Sequence, residues 1–269
     1  MAEVKNKEQQ INTDELRQQY IDDLVSIITP AYNAAAYIAE TIESVLAQTY
    51  QNWEMLIVND CSKDNTAEIV QSYAVKDKRI KLINLKQNSG AAAARNTAIQ
   101  NAKGRYIAFL DSDDLWKEEK LQKQIQFMQQ NEYVFTFTAY EHFKDVKENV
   151  QNSVKVSQSL NYKQALKGNQ IGCLTVILDR KQIHNIQFSN ERHEDYILWL
   201  NILKSSITAY GLNESLALYR IGNSKSISNN KLKSALWTWK VYKESQEFSM
   251  LKSAYYMLFY VMNGLRKHS

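Results

Sequence analysis

Between Leu24 and Asp113 the chain passes through four short apolar runs separated by three amphipathic stretches, and few folds accommodate that order. The runs "LVSIITP", "WEMLIVND", "IKLINL" and "RYIAFLDSD" are apolar without a polar alternate, as strands covered on both faces are. Between them, "AAAYIAETIESVLAQTY" puts Ile38, Ile42, Val45, Leu46 and Thr49 on one helical face, a second helix is expected from about Thr66 to Lys76, and "GAAAARNTAIQNA" reads as a third. Strand, helix, strand in this order predicts right-handed crossovers and a mostly parallel, Rossmann-like sheet flanked by helices. Ligands of such sheets bind beyond the carboxyl ends of the strands. Pro30 to Asn33, Asp60, Asp111 and Asp113 all fall there, so one rim should collect them.

The second half is less regular. "YVFTFTAY" and "CLTVILDR" read as strands, "YKQALKG" as a short helix and "HEDYILWLNILKSS" as a helix with Ile197, Leu200 and Leu203 inward. Trp199 is expected in the core rather than as an exposed aromatic platform. After "SLALYR" comes a polar loop, and from residue 231 an aromatic helical tail. Residues 1–23 are polar and are expected to be a helical or partly disordered lead-in. The expected organisation is this lead-in, a main domain over 24–228 that divides near 120 into two halves, and a basic tail over 229–269.

Composition narrows the class. With 44% hydrophobic and 23% charged residues and a formal net charge of +4, neither disorder nor a dedicated nucleic-acid binder is expected. The positive charge is concentrated at the end, where eight Lys or Arg stand against two acids from residue 221 onward. Cys61 and Cys173 are too few for a disulfide framework, no secretory h-region opens the chain, and the longest apolar run, 254–262, is too short to span a bilayer, so a cytoplasmic protein is expected. The histidines show no spacing that suggests a metal triad.

The stretch "LDSDDLW" places Asp111, Asp113 and Asp114 within four positions. Two carboxylates one residue apart can reach one hard divalent cation, whose other positions water and phosphate oxygens fill. With no Arg or Lys beside them, three acids would repel one another and raise their own pKa values, so a metal site that clamps a diphosphate is favoured. The plainer alternative is that Asp113 or Asp114 caps a helix beginning near Leu115, with Glu118 completing a capping box. "TPAYNAAAYI" has no glycine-rich cradle, no Walker lysine loop occurs, and the spacing of a calcium loop is missing.

Taken together, "VSIITPAYNAAAYIAETIESVLAQTYQNWEMLIVNDCSKDNT", "NSGAAAARNTAI" and "GRYIAFLDSDDLW" resemble the family 2 glycosyltransferases of the glycosyltransferase-A fold, closely over 24–120 and more loosely to about 228. The resemblance implies an inverting, metal-dependent transferase that moves a hexose from a nucleotide-diphosphate sugar, UDP-linked by preference, to a saccharide acceptor in bacterial surface polysaccharide or lipopolysaccharide assembly. Thr29, Ala31 and Tyr32 would line the nucleotide pocket, Asp60 would hold the base and Arg95 would lie near the diphosphate. Asp111, Ser112 and Asp113 form the D-x-D, with Asp113 and Asp111 holding Mn2+ or Mg2+. Where the family has D-D-G-S this chain has Asn59-Asp60-Cys61-Ser62, and Cys61 in place of glycine suggests a less strained turn.

"RHEDYILWL" resembles the family's E-D motif. Asp195 would then be the general base that takes the proton of the acceptor hydroxyl, with Glu194 or His193 orienting the acceptor or the loop; a helix N-terminus also favours an ionised carboxylate. N-terminal capping by the same two acids is the plain alternative. Tyr219, Arg220, Ser224, Lys225 and Ser226 would form a loop near the donor diphosphate, where Arg220 and Lys225 could neutralise it. The basic aromatic tail suits an anionic membrane surface and a lipid-linked acceptor as well as packing on its own domain, and a homodimer through it stays open. Two rival classes remain: a sugar nucleotidyltransferase, and a non-catalytic saccharide-binding module of the same fold.

Overall fold

The computed structural model describes residues 20–222 and 231–266. Among these residues ten strands form one sheet: β1 (Ile21–Ala31), β2 (Trp53–Asn59), β3 (Ile80–Asn84), β4 (Gly104–Phe109), β5 (Leu115–Trp116), β6 (Phe135–Lys144), β7 (Val146–Val154), β8 (Ser159–Leu160), β9 (Ile177–Asp179) and β10 (Ala209–Arg220). Eight α-helices accompany them: α1 (Ile38–Leu46), α2 (Thr66–Lys76), α3 (Ala91–Asn101), α4 (Lys120–Asn131), α5 (Tyr162–Ala165), α6 (Glu194–Lys204), α7 (Lys231–Lys240) and α8 (Met250–Arg266). The order across the sheet is β3-β2-β1-β4-β9-β6-β10-β5, with β7 on β6 and β8 on β10.

The first four strands are parallel throughout, as the crossover pattern predicts. Beyond β4 the sheet is mixed: β9 lies antiparallel between β4 and β6, and β10 runs parallel to β6 but antiparallel to β5 and β8. Successive residues of the inner strands feed two separate cores. Ile28, Leu56, Val58, Ile107 and Phe109 face α3, α6 and part of the C-terminal segment, whereas Val25, Ile27, Met55, Ile57, Tyr106 and Ala108 face α1, α2 and α4. Both alternates are therefore apolar, which is why these strands read as unbroken runs.

The expected core position of Trp199 holds: it is buried, with ring contacts to Phe109 and Phe135 at 5.7 and 5.4 Å. The C-terminal segment contributes Val241, Tyr242, Phe248 and Tyr256 to the first core, so one face of the tail packs on the domain.

Three expectations need correction. No helix begins near Leu115; Leu115 and Trp116 form β5 on Leu218 and Ala217 of β10, and the helix starts at Lys120. Pairing with a strand a hundred residues away overrides the local capping pattern, so Asp113 and Asp114 cap nothing there. The first strand begins at Ile21 rather than Leu24, because Ile21 N–H donates to the Lys103 carbonyl at 2.8 Å. The β6–β7 hairpin was not expected at all, since β7 is exposed along nearly its whole length and carries no apolar alternation. Residues 1–19 of the lead-in and residues 223–230 of the polar loop lie outside the described residues.

Candidate active site

The carboxyl ends of β1, β2 and β4 meet as a sheet of this topology requires. The Asp60 N–H donates to the Ala31 carbonyl at 2.8 Å, and Leu110 N–H to that of Ile28 at 3.1 Å. Thr29 and Ala31 are buried; the Thr29 hydroxyl has no hydrogen-bond partner, while Tyr32 is exposed at the mouth. The Asp60 carboxylate is buried and accepts the backbone N–H groups of Ser89 and Gly90 at 2.7 and 2.8 Å, which anchors the N-terminus of α3. Gly90 has φ +88 with open space where a Cβ would stand, so its backbone conformation alone calls for glycine.

Asn59, which replaces the first acid of the family motif, bonds Asn84 and the Ser62 N–H, a wholly structural use of the position. Cys61 corrects a further expectation. It lies in the left-handed region at φ +60, so the turn keeps the conformation glycine would adopt freely and the cysteine bears the strain. Asp64, which the sequence did not single out, holds the loop after β1 by accepting the N–H of Ala35 at 3.0 Å. Its burial raises the pKa, but the hydrogen bonds it accepts from Thr66 and Ala35 outweigh that and leave it below the usual carboxylate value.

At the end of β4 the chain turns sharply, with Asp114 N–H donating to the Asp111 carbonyl at 3.1 Å. Asp114 is buried, accepts the Arg220 N–H at 2.9 Å with one oxygen and leaves the other without a partner. Burial first, then the carboxylates of Asp113 and Asp111, push its pKa well above the ordinary value. The Arg220 side chain lies beneath this turn. Its Nε donates to the Asp113 carbonyl at 2.8 Å, its terminal nitrogens to Glu40 at 2.6 Å and the Asp145 carbonyl at 3.0 Å, and its plane rests between Tyr37 and Phe143.

Arg95 projects from α3 between two acids: one terminal nitrogen donates to Asp111 at 2.6 Å and the other to Glu194 at 2.9 Å. Burial disfavours its charge, but the attraction of Asp111 and Glu194 more than offsets this and its pKa is raised. The absence of a neighbouring cation in the sequence is thus made good through space, by residues 16 and more than 100 positions away; the repulsion argument for a metal at Asp111 is weakened accordingly. Asp111 is still 31% exposed at the side chain. The residues fit an open site of one or two carboxylates completed by phosphate and water. Among the described residues no cluster of three or more His, Cys, Asp or Glu forms a closed cage.

Glu194 and Asp195 open α6, behind His193 in the left-handed conformation at φ +62. The imidazole lies 3.2 Å from the Ser234 carbonyl and edge-on to Trp237, so it serves the junction with α7. Asp195 accepts the Tyr196 N–H at 2.7 Å and lies 3.4 Å from the Asn169 amide. Burial first and the Glu194 carboxylate second raise its pKa, against the lowering expected from a helix N-terminus alone. Cys173 sits among Arg95, Asp111, Asp195 and Glu194, and burial pushes its thiol pKa well up, which keeps it an inert packing group. Asn169 and Cys173 carried no local signal in the sequence. Ser112 is half-buried within the D-x-D turn; Ser224, Lys225 and Ser226 lie outside the described residues.

One buried guanidinium thus joins Asp111, on the rim formed by the strand ends, to Glu194, the neighbour in sequence of the Asp195 carboxylate whose pKa is raised. Among curated relatives, the putative teichuronic acid biosynthesis glycosyltransferase TuaG of Bacillus subtilis is 47% identical over 245 residues, covering 91% of this chain and 97% of the relative. WfgD of Escherichia coli, a UDP-Glc:alpha-D-GlcNAc-diphosphoundecaprenol beta-1,3-glucosyltransferase, is 43% identical over 92% of this chain and 96% of its own. Solved structures share the fold at low identity. TarS 1–349 of S. aureus in complex with UDP-GlcNAc superposes with a TM-score of 0.67 at 19% identity, over 88% of this chain and 71% of that one. The mannosyltransferase PcManGT of Pyrobaculum calidifontis, in complex with GDP-Man and Mn2+, gives 0.66 at 17%, over 87% and 69%. Residues 26–185 match glycosyl transferase family 2, and with relatives this similar along nearly their full length the chain belongs to that family.

Proposed function

We propose that this glycosyltransferase moves a hexose, with inversion, from a UDP-sugar to a lipid-linked saccharide during assembly of a bacterial surface polysaccharide, working at the cytoplasmic face of the membrane. The observation that carries the proposal is the Asp111–Arg95–Glu194 bridge, which ties the donor rim to the residue preceding Asp195. The acceptor hydroxyl oxygen attacks the anomeric carbon, the bond from that carbon to the diphosphate breaks, the proton passes to Asp195 and the electron pair leaves with the nucleoside diphosphate. A base whose pKa is raised toward working pH accepts that proton more readily than an ordinary surface carboxylate. Arg95 holds Asp111 and Glu194 in register, and Arg220 braces the Asp113–Asp114 turn from below rather than reaching for the diphosphate.

Thr29, Ala31 and Tyr32 line the way in for the nucleotide, and Asp60 orders the α3 N-terminus beside the base. Asp113, with the free side of Asp111, would hold Mn2+ or Mg2+. When bound, the cation supplies charge that stabilises the departing diphosphate. The UDP-Glc and diphosphoundecaprenol substrates in the name of WfgD, and the UDP-GlcNAc complex of TarS, support the choice of donor and acceptor class.

The test is donor hydrolysis and transfer with a panel of UDP-sugars in the presence of Mn2+, comparing wild type with Asp195→Asn. A loss of at least about a hundredfold in rate with UDP binding intact is expected, the usual minimum for removing a general base. Equal rates would remove Asp195 from that role. Release of pyrophosphate from a nucleoside triphosphate and a sugar phosphate would instead favour the nucleotidyltransferase reading.

A further inference from the structure

Helix α8 has its polarity reversed. Ser253 and Tyr256 are buried against the domain, while the face turned outward carries Leu251, Tyr255, Leu258 and Met262 at spacings of four, three and four residues. Leu251 is 85% exposed and Leu258 60%, with Met250 and Val261 flanking them. A water-facing helix surface would normally be polar, and a contiguous apolar stripe of this kind marks an interaction site. The helix is not long and apolar enough to cross a membrane. Its charges are of one sign: from residue 248 to 269 the sequence has Lys252, Arg266 and Lys267 and no Asp or Glu.

We infer that the outer face of α8 is a docking surface for an anionic lipid bilayer, on which the helix lies flat with Leu251, Tyr255, Leu258 and Met262 entering the interface and Lys252 meeting headgroup phosphates. A second copy of the chain fits the same face less well, since a two-fold contact would bring like-charged helices together with no acid in either to answer them. A negatively charged lipid surface complements both features at once.

The position of the helix gives the contact a use, and this part rests on the proposed function. Asn263 donates to the Lys167 carbonyl at 3.0 Å, the Tyr260 hydroxyl lies 3.1 Å from that of Ser234, and Lys167 sits over the Phe259 ring. The segment so held runs directly into Asn169, whose amide is beside Asp195. Docking through α8 therefore sets the bilayer next to the base, where a lipid-linked acceptor has to arrive.

The experiment is flotation of the full chain with vesicles of phosphatidylethanolamine containing about a third phosphatidylglycerol, and with phosphatidylcholine alone. Wild type is expected to float with the anionic vesicles and weakly with the neutral ones. Leu251→Glu/Leu258→Glu should lower partitioning by at least about tenfold, from two lost apolar insertions and two added negative charges. Lys252→Gln should lower it by about fivefold. Leu251 and Leu258 are solvent-exposed, so an unchanged circular dichroism melt is expected of the double variant, and Lys252→Gln gives up only the contact of the ammonium with the Phe248 ring at 3.7 Å.

Wild type that stays in the aqueous fraction, or a double variant that floats as well as wild type, overturns the inference. So does light scattering that finds a dimer which the double variant dissolves without any lipid binding. Soluble UDP-sugar hydrolysis, read in parallel, separates the two proposals: flotation without hydrolysis defeats the proposed function alone, and hydrolysis without flotation defeats the docking surface alone.

Discussion

Replacing Arg95 by methionine removes the guanidinium that joins two parts of the site while keeping much of the side-chain length and apolar volume. The side chain is only 7% exposed and makes two charge-assisted hydrogen bonds, to Asp111 at 2.6 Å and Glu194 at 2.9 Å. Each such bond contributes about 1.5–3 kcal/mol. The two acids keep 31% and 26% of their side-chain surface in water and can rehydrate in part, so the net loss is set at about 2–4 kcal/mol rather than the 3–5 of a fully buried broken pair.

For a chain of this size that corresponds to a melting point lower by about 5–15 °C. Differential scanning calorimetry reads it directly. Arg95→Lys, able to reach only one of the two acids, should recover about half. A double-mutant cycle with Asp111→Asn should return a coupling of about 1 kcal/mol or more, as contacting charged groups do. A melting point within about a degree of wild type, or additive single mutants, would refute the idea that this bridge holds the rim to the base helix.

Other outcomes follow from neighbouring features. Cys61→Gly should raise the melting point by about 2–4 °C, because glycine relieves about 1 kcal/mol at φ +60; a fall would show that the thiol contributes packing that outweighs the strain. Arg220→Met should lower stability by about 3 kcal/mol in urea unfolding and raise the KM for donor more than it lowers kcat, since it loosens the turn that presents Asp113. For Asp195 the folded pKa lies above the unfolded one, owing to burial and Glu194 and despite Arg95, His193 and the Tyr196 N–H. Its protonated form thus stabilises the fold at low pH, and that contribution is lost as pH rises through the raised value. Asp195→Asn should match wild type in melting point below the ordinary aspartate pKa and exceed it increasingly above; a gap that narrows with rising pH would contradict the assigned direction.

What could be read from the sequence follows from what is local. The four buried parallel strands and the helices between them announce themselves because Val25, Ile27 and Ile28, or Leu56, Ile57 and Val58, need cover on both sides, and the helix ends at Thr66 and Lys76 coincide with those expected. The rim acids were legible for the same reason, as the residues that end these runs. What depends on distant partners was not. Leu115 carries the pattern of a helix start and is claimed by β10. The counter-charge for the D-x-D region comes from Arg95 and Arg220, whose proximity only the folded sheet creates. Cys61 looks innocent because nothing adjacent reports its backbone angle.

The short strand β9 also governs how this protein can be divided. Leu178 pairs with Ile107 on one side and Phe135 on the other, and Arg105 clasps Asp179 at 2.6 Å to pin the end of the strand. A fragment stopping near residue 120 would leave β4, apolar on both faces, with a bare line of amide and carbonyl groups along one side, an invitation to coalesce with its own kind. Recombination that trades regions between relatives therefore has to bring its own copy of this stitch, and the natural seam for such exchange is the exposed strand β7 instead.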